Sequence, residues 1–284
     1  MLQIFNDTVL DAEFKDKGYI TVDFLNRDEC DALYTELMKL DSGVDKKFYA
    51  SLWSSDKEYR LTVDRLIKAA FTEKVKSLFH SNYAPFFSDV LVKKPSLFDK
   101  FRIHQDWSFV DETKYTSLFI WCPLVDVNKQ NGYLQIMHKS HKIFNNIRGA
   151  NIPQPYDKIK SYVERKYLKG IPLPAGKAII FNQALIHASP PNRSLKARVA
   201  AGMMMLPKEA PIYHFVRDNE DPALIHKYSV DYDFFMNYSM GKDFADMLYA
   251  KTMVLPQGVK EEGQIGYSER YVTTAEFDDI CSKA

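Results

Sequence analysis

Four residues spread over the middle of this chain have the types and spacing to do chemistry: His104 and Asp106, in the run His104-Gln105-Asp106, then His187 and Arg198. Two histidines and one carboxylate make a three-ligand set for a redox-active iron that keeps other positions open. An arginine about one strand-length past the second histidine is placed to hold the far carboxylate of a small dicarboxylic acid, because its fork matches a carboxylate bidentately. If the set is read in this way, it implies an oxygenase. The tripeptide alone carries less, since a surface or core histidine beside an acid reads the same way. Geometry adds to it: residues two apart on a strand share a face, so His104 and Asp106 can reach one ion.

The elements that must position these residues are strands. Leu173-Pro-Ala-Gly176 reads as a turn, and Lys177 to Asn182 as an apolar strand. A second apolar strand runs from Val199 to Leu206. Thus His187 ends one strand and Arg198 begins the next, with the polar turn Ser189-Pro-Pro-Asn192-Arg-Ser194 between them. Both side chains then lie near one mouth of a β-barrel-like fold.

The spacing His187-x-Ser189-x-x-Asn192-x-Ser194-x-x-x-Arg198 resembles that of the phytanoyl-CoA dioxygenase family. Gly18-Tyr-Ile-Thr-Val-Asp-Phe-Leu25, Lys94-Pro95 ahead of His104-Gln-Asp-Trp107, Trp121-Cys-Pro-Leu-Val-Asp126, Asn131-Gly132 and Ser140-His141-Lys142 follow in the family's order, over about residues 10–206. His138-Lys139 departs from the family's usual Pro-Gly, in a loop beside the pocket.

The resemblance implies a double-stranded β-helix (jelly-roll, cupin-like) core, mainly β with flanking helices. It implies Fe(II) held by His104, Asp106 and His187, with 2-oxoglutarate and O2 as cosubstrates. Arg198 and Ser189 would bind the far carboxylate of 2-oxoglutarate, and Trp121 would wall the cosubstrate. The reaction expected is hydroxylation of an unactivated C–H bond of a small molecule, an amino acid or natural-product intermediate, with release of succinate and CO2. Asp106 keeps the carboxylate that halogenating relatives lack, so halogenation is disfavoured. Desaturation, epoxidation and cyclisation would use the same iron site. A non-oxygenase jelly roll, such as a cupin-type isomerase or sensor, would keep the histidines without needing Arg198 and Ser189 together.

With 284 residues, 46% hydrophobic, the chain suffices for one large domain or two small ones with a packed core. A formal charge of +1, from 38 basic and 37 acidic residues, gives no reason to expect a nucleic-acid partner. Lys46-Lys47 and Lys93-Lys94 read as solvated surface. Cys30, Cys122 and Cys281 are far apart and form no zinc or disulfide pattern, which suits a reducing, cytoplasmic setting. Cys122 reads as a buried small hydrophobe. Neither a signal peptide nor a membrane-spanning stretch is expected. The partner expected is a small-molecule substrate, with oligomeric state left open.

One domain over 1–284 is expected, with helical support over about 1–87, a jelly-roll core over about 88–216 and a C-terminal extension over about 217–284. Residues 26–40 read as a helix, with a capping box at Asn26 and Glu29. Residues 62–79 read as a second helix, and 48–60 as an aromatic segment that is either a lid over the pocket or a packed connector, the connector being favoured. An insertion over 141–172, with a helix at 156–167, would arch over the mouth. Further helices are expected at 240–251 and 274–282. Gln105 points away from its neighbours on an ideal strand and takes a structural role. Asn192 and Ser194 shape their turn. His138 and His141 are assigned to the surface, and so are Arg60, Arg102 and Arg148, each of which is also a candidate to bind an acidic substrate.

Overall fold

The computed structural model describes residues 2–238, 242–249 and 255–283. Three helices and two short strands open the chain: α1 (Thr8–Lys17), β1 (Tyr19–Asp23), α2 (Arg27–Met38), β2 (Phe48–Ala50) and α3 (Lys57–Leu78). Asp7 caps α1 by accepting from the Val9 and Leu10 amides. The capping box of α2 forms: Asn26 Oδ1 accepts from the Glu29 amide at 2.9 Å, and the Glu29 carboxylate accepts from the Asn26 amide at 2.7 Å.

The chain then turns to strands: β3 (Tyr83–Lys93), β4 (Phe101–His104), β5 (Leu118–Pro123) and β6 (Leu134–Ile136). After α4 (Lys160–Tyr167) come β7 (Lys169–Ile171), β8 (Lys177–Asn182), β9 (His187–Ser189), β10 (Arg198–Pro207), β11 (Tyr213–Arg217) and β12 (Leu224–Ser229). Helices α5 (Tyr232–Asn237) and α6 (Lys242–Tyr249), strand β13 (Lys260–Gly266) and helix α7 (Thr274–Lys283) complete it.

These strands form a six-stranded sheet in the order β1-β8-β5-β10-β3-β2 and a four-stranded sheet in the order β4-β9-β6-β7. Both sheets line one cavity, as expected of a jelly roll. The long strands of the larger sheet are buried on both faces, so they read as continuous apolar runs. Ile180, Leu118, Ile120, Val199, Ala201 and Met203 pack outward against α1–α3. Ile179, Phe181, Trp121 and Ala200 pack inward toward Leu134 and Ile136 of the smaller sheet. Cys122 is fully buried on the outer face.

Several elements depart from the expected layout. The N-terminal segment is more than helical support, because β1 and β2 are the two edges of the large sheet. β1 pairs with β8 from Tyr19↔Phe181 to Asp23↔Lys177. The tail carries strands as well as helices: β11, β12 and β13 make a third sheet. Helices α6 and α7 match the expected positions, while the ends of the 240–251 expectation fall outside the described residues. The 48–60 segment is no mere connector, for Phe48 and Trp53 line the cavity. Among the described residues, no helix is long and apolar enough to cross a membrane.

Candidate active site

His104 and His187 face each other because β4 pairs antiparallel with β9 in the register His104↔His187. Their rings lie 4.1 Å apart, centroid to centroid, edged by Phe101 and Phe181. β4 ends at His104, so Asp106 stands just past the strand rather than on it. Its backbone is pinned there: the Asp106 amide donates to the Gln183 carbonyl at 3.0 Å, and its carbonyl accepts from Arg148 Nε at 2.6 Å.

Hydrogen bonding fixes the histidine tautomers. His104 Nδ1 lies 2.8 Å from the Arg102 carbonyl, and His187 Nδ1 lies 2.9 Å from the Leu185 carbonyl. A carbonyl only accepts, so each Nδ1 carries the proton and each Nε2 presents a lone pair. The Nε2 atoms face Asp106 Oδ1 at 3.5 and 3.7 Å. The three ligand atoms lie within 4.8 Å of one another. Three lone-pair donors converging in this way fit a cation at their centre. Electrostatics agree. Burial, helped by His104, pushes the His187 imidazole down to about 4 and keeps it neutral. Burial works to raise the Asp106 carboxyl, but His187 and His104 outweigh it and hold it below the ordinary carboxylate value.

Across the cavity, Arg198 opens β10, only 2% exposed. Its Nε and Nη1 have no hydrogen-bond partner, and its guanidinium stacks 5.3 Å from the Trp121 ring centre. A buried guanidinium with free N–H groups is expensive unless an anion meets it. Lys93 lies directly opposite it in the β3–β10 register. Sequence reasoning put Lys93 on the surface, and that is wrong: it is 1% exposed. Burial and the neighbouring Arg198 push its ammonium down to about 6. The legible signal was alternation, since Asp89, Leu91 and Lys93 share one face of an apolar strand.

Ser189 sits between these two basic residues and the smaller sheet. Its hydroxyl donates to the Gly132 carbonyl at 2.8 Å and accepts from Lys93 Nζ at 2.7 Å. The hydroxyl hydrogen is therefore already used, and its place is to hold Lys93 rather than to offer a free donor. Gly132 is required at this contact: at φ 83°, a Cβ would lie 2.8 Å from the Pro190 carbonyl oxygen. Asn192, fully buried, fixes the following turn to β3 by donating to the Lys93 carbonyl at 2.8 Å.

His104, Asp106, His187, Ser189, Arg198 and Trp121 all line one cavity of about 370 Å³. Gln105 lines it too, while its Nε2 donates to the Ala184 carbonyl at 2.6 Å. Gly149, Ile152 and Gln154 of the 141–172 insertion complete a wall. Arg148 is fully buried rather than on the surface, and it pairs with Glu112 beneath Asp106. Arg60 is buried as well, donating to the Met236 and Ser54 carbonyls. His141 is half-buried beside the Lys15 carbonyl, away from the ligand set.

A family model described as phytanoyl-CoA dioxygenase matches residues 14–200. Among curated proteins none matches in sequence. The fold is similar to that of SnoK, a non-heme alpha ketoglutarate dependent carbocyclase from nogalamycin biosynthesis, at TM-score 0.50 and 18% identity. That match covers 70% of this chain and 83% of SnoK. HygX from Streptomyces hygroscopicus, with nickel and 2-oxoglutarate bound, superposes at TM-score 0.52 and 15% identity, covering 70% of this chain and 86% of HygX. EvdO2 from Micromonospora carbonacea var. aurantiaca, complexed with 2-oxoglutarate, does so at 0.50 and 15%, covering 69% and 89%.

Proposed function

The chain belongs to the phytanoyl-CoA dioxygenase family, and from that premise we propose that it hydroxylates an unactivated C–H bond of a small metabolite. The family's enzymes use ferrous iron, 2-oxoglutarate and O2, and this chain is an oxygenase of that kind. When bound, the iron with its cosubstrates supplies the oxidation: 2-oxoglutarate loses CO2 to become succinate, and one oxygen atom enters the substrate.

The single observation that carries the site assignment is the pairing of two unmet needs in one cavity. His104, Asp106 and His187 converge lone pairs that call for a cation. Arg198 offers buried N–H groups that call for an anion. A keto acid chelated at one end and carboxylate-bound at the other answers both. In this reading His104, His187 and Asp106 would hold the metal at the cavity wall. Arg198 would orient the cosubstrate's far carboxylate, Lys93 holds Ser189 and the Pro190 carbonyl beside it, and Trp121 packs on the guanidinium. The aromatic walls exclude water from the reacting atoms. A cavity of about 370 Å³ suits a small metabolite, such as an amino acid or natural-product intermediate.

Anaerobic titration with ferrous iron and then 2-oxoglutarate tests this. The expected result is a weak visible metal-to-ligand charge-transfer band, followed by succinate release on admitting air. His104→Ala and Asp106→Ala should lose both signals. Turnover retained in either variant would sink the assignment of the metal ligands.

A further inference from the structure

Asp89 is the one buried acid in the cavity that the ligand set leaves without a task. Strand alternation turns Phe87, Asp89 and Leu91 of β3 toward the cavity. The Asp89 side chain is buried, at 6% exposed, and its Oδ1 accepts no hydrogen bond. Gly202 lies opposite it on β10, where a Cβ would come within 2.8 Å of that oxygen and 2.3 Å of the Phe119 ring. The missing side chain lets Asp89 and Phe119 settle side by side on the cavity floor. Burial without a partner, with Asp106 nearby, raises the carboxyl to about 7. Such a group is expensive to keep, and no described residue compensates it.

Apart from Arg198, the other unpartnered buried side-chain atoms on residues lining the cavity are acceptors too, among the described residues. Gln105 Oε1 and Gln183 Oε1 have no partner, while their amide nitrogens are turned to the Ala184 carbonyl and Met204 sulfur. Phe87, Phe109, Phe119 and Trp107 line the same cavity. Two unmet amide acceptors and a carboxyl that a bound cation would hold ionised, in an aromatic-lined cavity, describe a ligand that donates and is positive. An ammonium brings three N–H groups and a charge that ring faces attract. A hydroxyl brings a single donor, and a carboxylate would be repelled.

We propose that the substrate is an amine, seated with its ammonium on Asp89 and its hydrocarbon among the surrounding rings. This rests on the cavity being the oxygenase site and adds the class of substrate.

Trp53, Trp107 and Trp121 are the chain's only tryptophans and all line the cavity, so intrinsic fluorescence reports its occupancy without turnover. The full-length protein, loaded anaerobically with ferrous iron and 2-oxoglutarate, is titrated with 2-phenylethylamine and hexylamine. Their neutral counterparts, 2-phenylethanol, N-acetyl-2-phenylethylamine and hexanol, are titrated alongside. The amines should bind about tenfold or more tightly than the neutral probes, as charge-assisted hydrogen bonds imply. Asp89→Asn should abolish that preference and leave the charge-transfer band unchanged. Equal binding of amine and neutral probes, or a preference that survives Asp89→Asn, overturns the proposal. So does a lower melting temperature for Asp89→Asn, which would make the carboxylate a structural group. The band is read separately: its absence with the amine preference intact would fail the oxygenase reading and keep this one.

Discussion

At the scale of single residues, the site is defined by what its charged groups lack. Arg198 and Lys93 are buried side by side, yet Lys93 spends its contacts on the Ser189 and Pro190 carbonyls and the Ser189 hydroxyl. Among the described residues lining the cavity, Arg198 keeps unpartnered N–H groups. The division of labour follows. Arg198→Ala should raise the KM for 2-oxoglutarate on the order of 100-fold, the loss of two charge-assisted hydrogen bonds. Lys93→Met should raise it by only about tenfold, because it removes the support of Ser189 and Pro190 beside the cosubstrate and no direct bond to it. Both should leave ferrous binding intact, and steady-state kinetics with iron titration would check this. Equal effects from the two would mean that Lys93 also touches the cosubstrate. The types and order of His104, Asp106, His187 and Arg198 made this chemistry legible in the sequence. Lys93 and Asp89 were hidden by a sound rule, that charged residues go outside. The exception shows only when strand alternation is followed through Asp89-Val-Leu-Val-Lys93.

At the scale of elements, the third sheet is the part the sequence concealed. β13, Lys-Glu-Glu-Gly-Gln-Ile-Gly, is exposed at nearly every position and poor in strand-forming residues. Pairing makes it a strand, and the pairing centres on His226 of β12. That imidazole sits between Asp218, at 2.8 Å, and Glu261 of β13, at 2.7 Å. Burial works to lower its pKa, but the hydrogen bonds to Glu261 and Asp218 outweigh it and raise it above the ordinary 6.5. Asp218 is held down at about 2 by the Asp221 amide and then by His226. The sign is fixed by linkage: a raised folded pKa stabilises fully below 6.5, and the gain is lost as pH rises through the folded value. His226→Gln should therefore cost about 1 kcal/mol at pH 6, a modest sum because the carboxylates are partly solvated. The cost should shrink by pH 9. Denaturation at both pH values measures it, and a cost independent of pH would show that His226 acts by packing. By contrast, α2 was legible from Asn26 and Glu29 alone, because a capping box is a local device needing no distant partner.

At the scale of the whole molecule, the two sheets divide the proposed site between them. The proposed metal ligands belong to the smaller sheet and its flank, through β4, β9 and the segment following β4. Arg198 and Lys93 belong to the larger sheet, through β10 and β3. A metal alone ties together only the ligands of one side. A chelated keto acid reaching Arg198 ties the sheets to each other, so its binding free energy becomes stability of the sandwich itself. Ferrous iron and 2-oxoglutarate together should therefore raise the melting temperature by more than the sum of their separate shifts. At concentrations about 100 times Kd the gain is ~2.7 kcal/mol, or roughly 5–10 °C for a chain of this size. Arg198→Ala should keep the shift due to iron and lose most of the additional one. Anaerobic thermal melts of the two proteins, with each addition alone and with both, decide the matter. Additive shifts in the wild type would mean that the cosubstrate does not span the cavity, and the arginine would then need another anion.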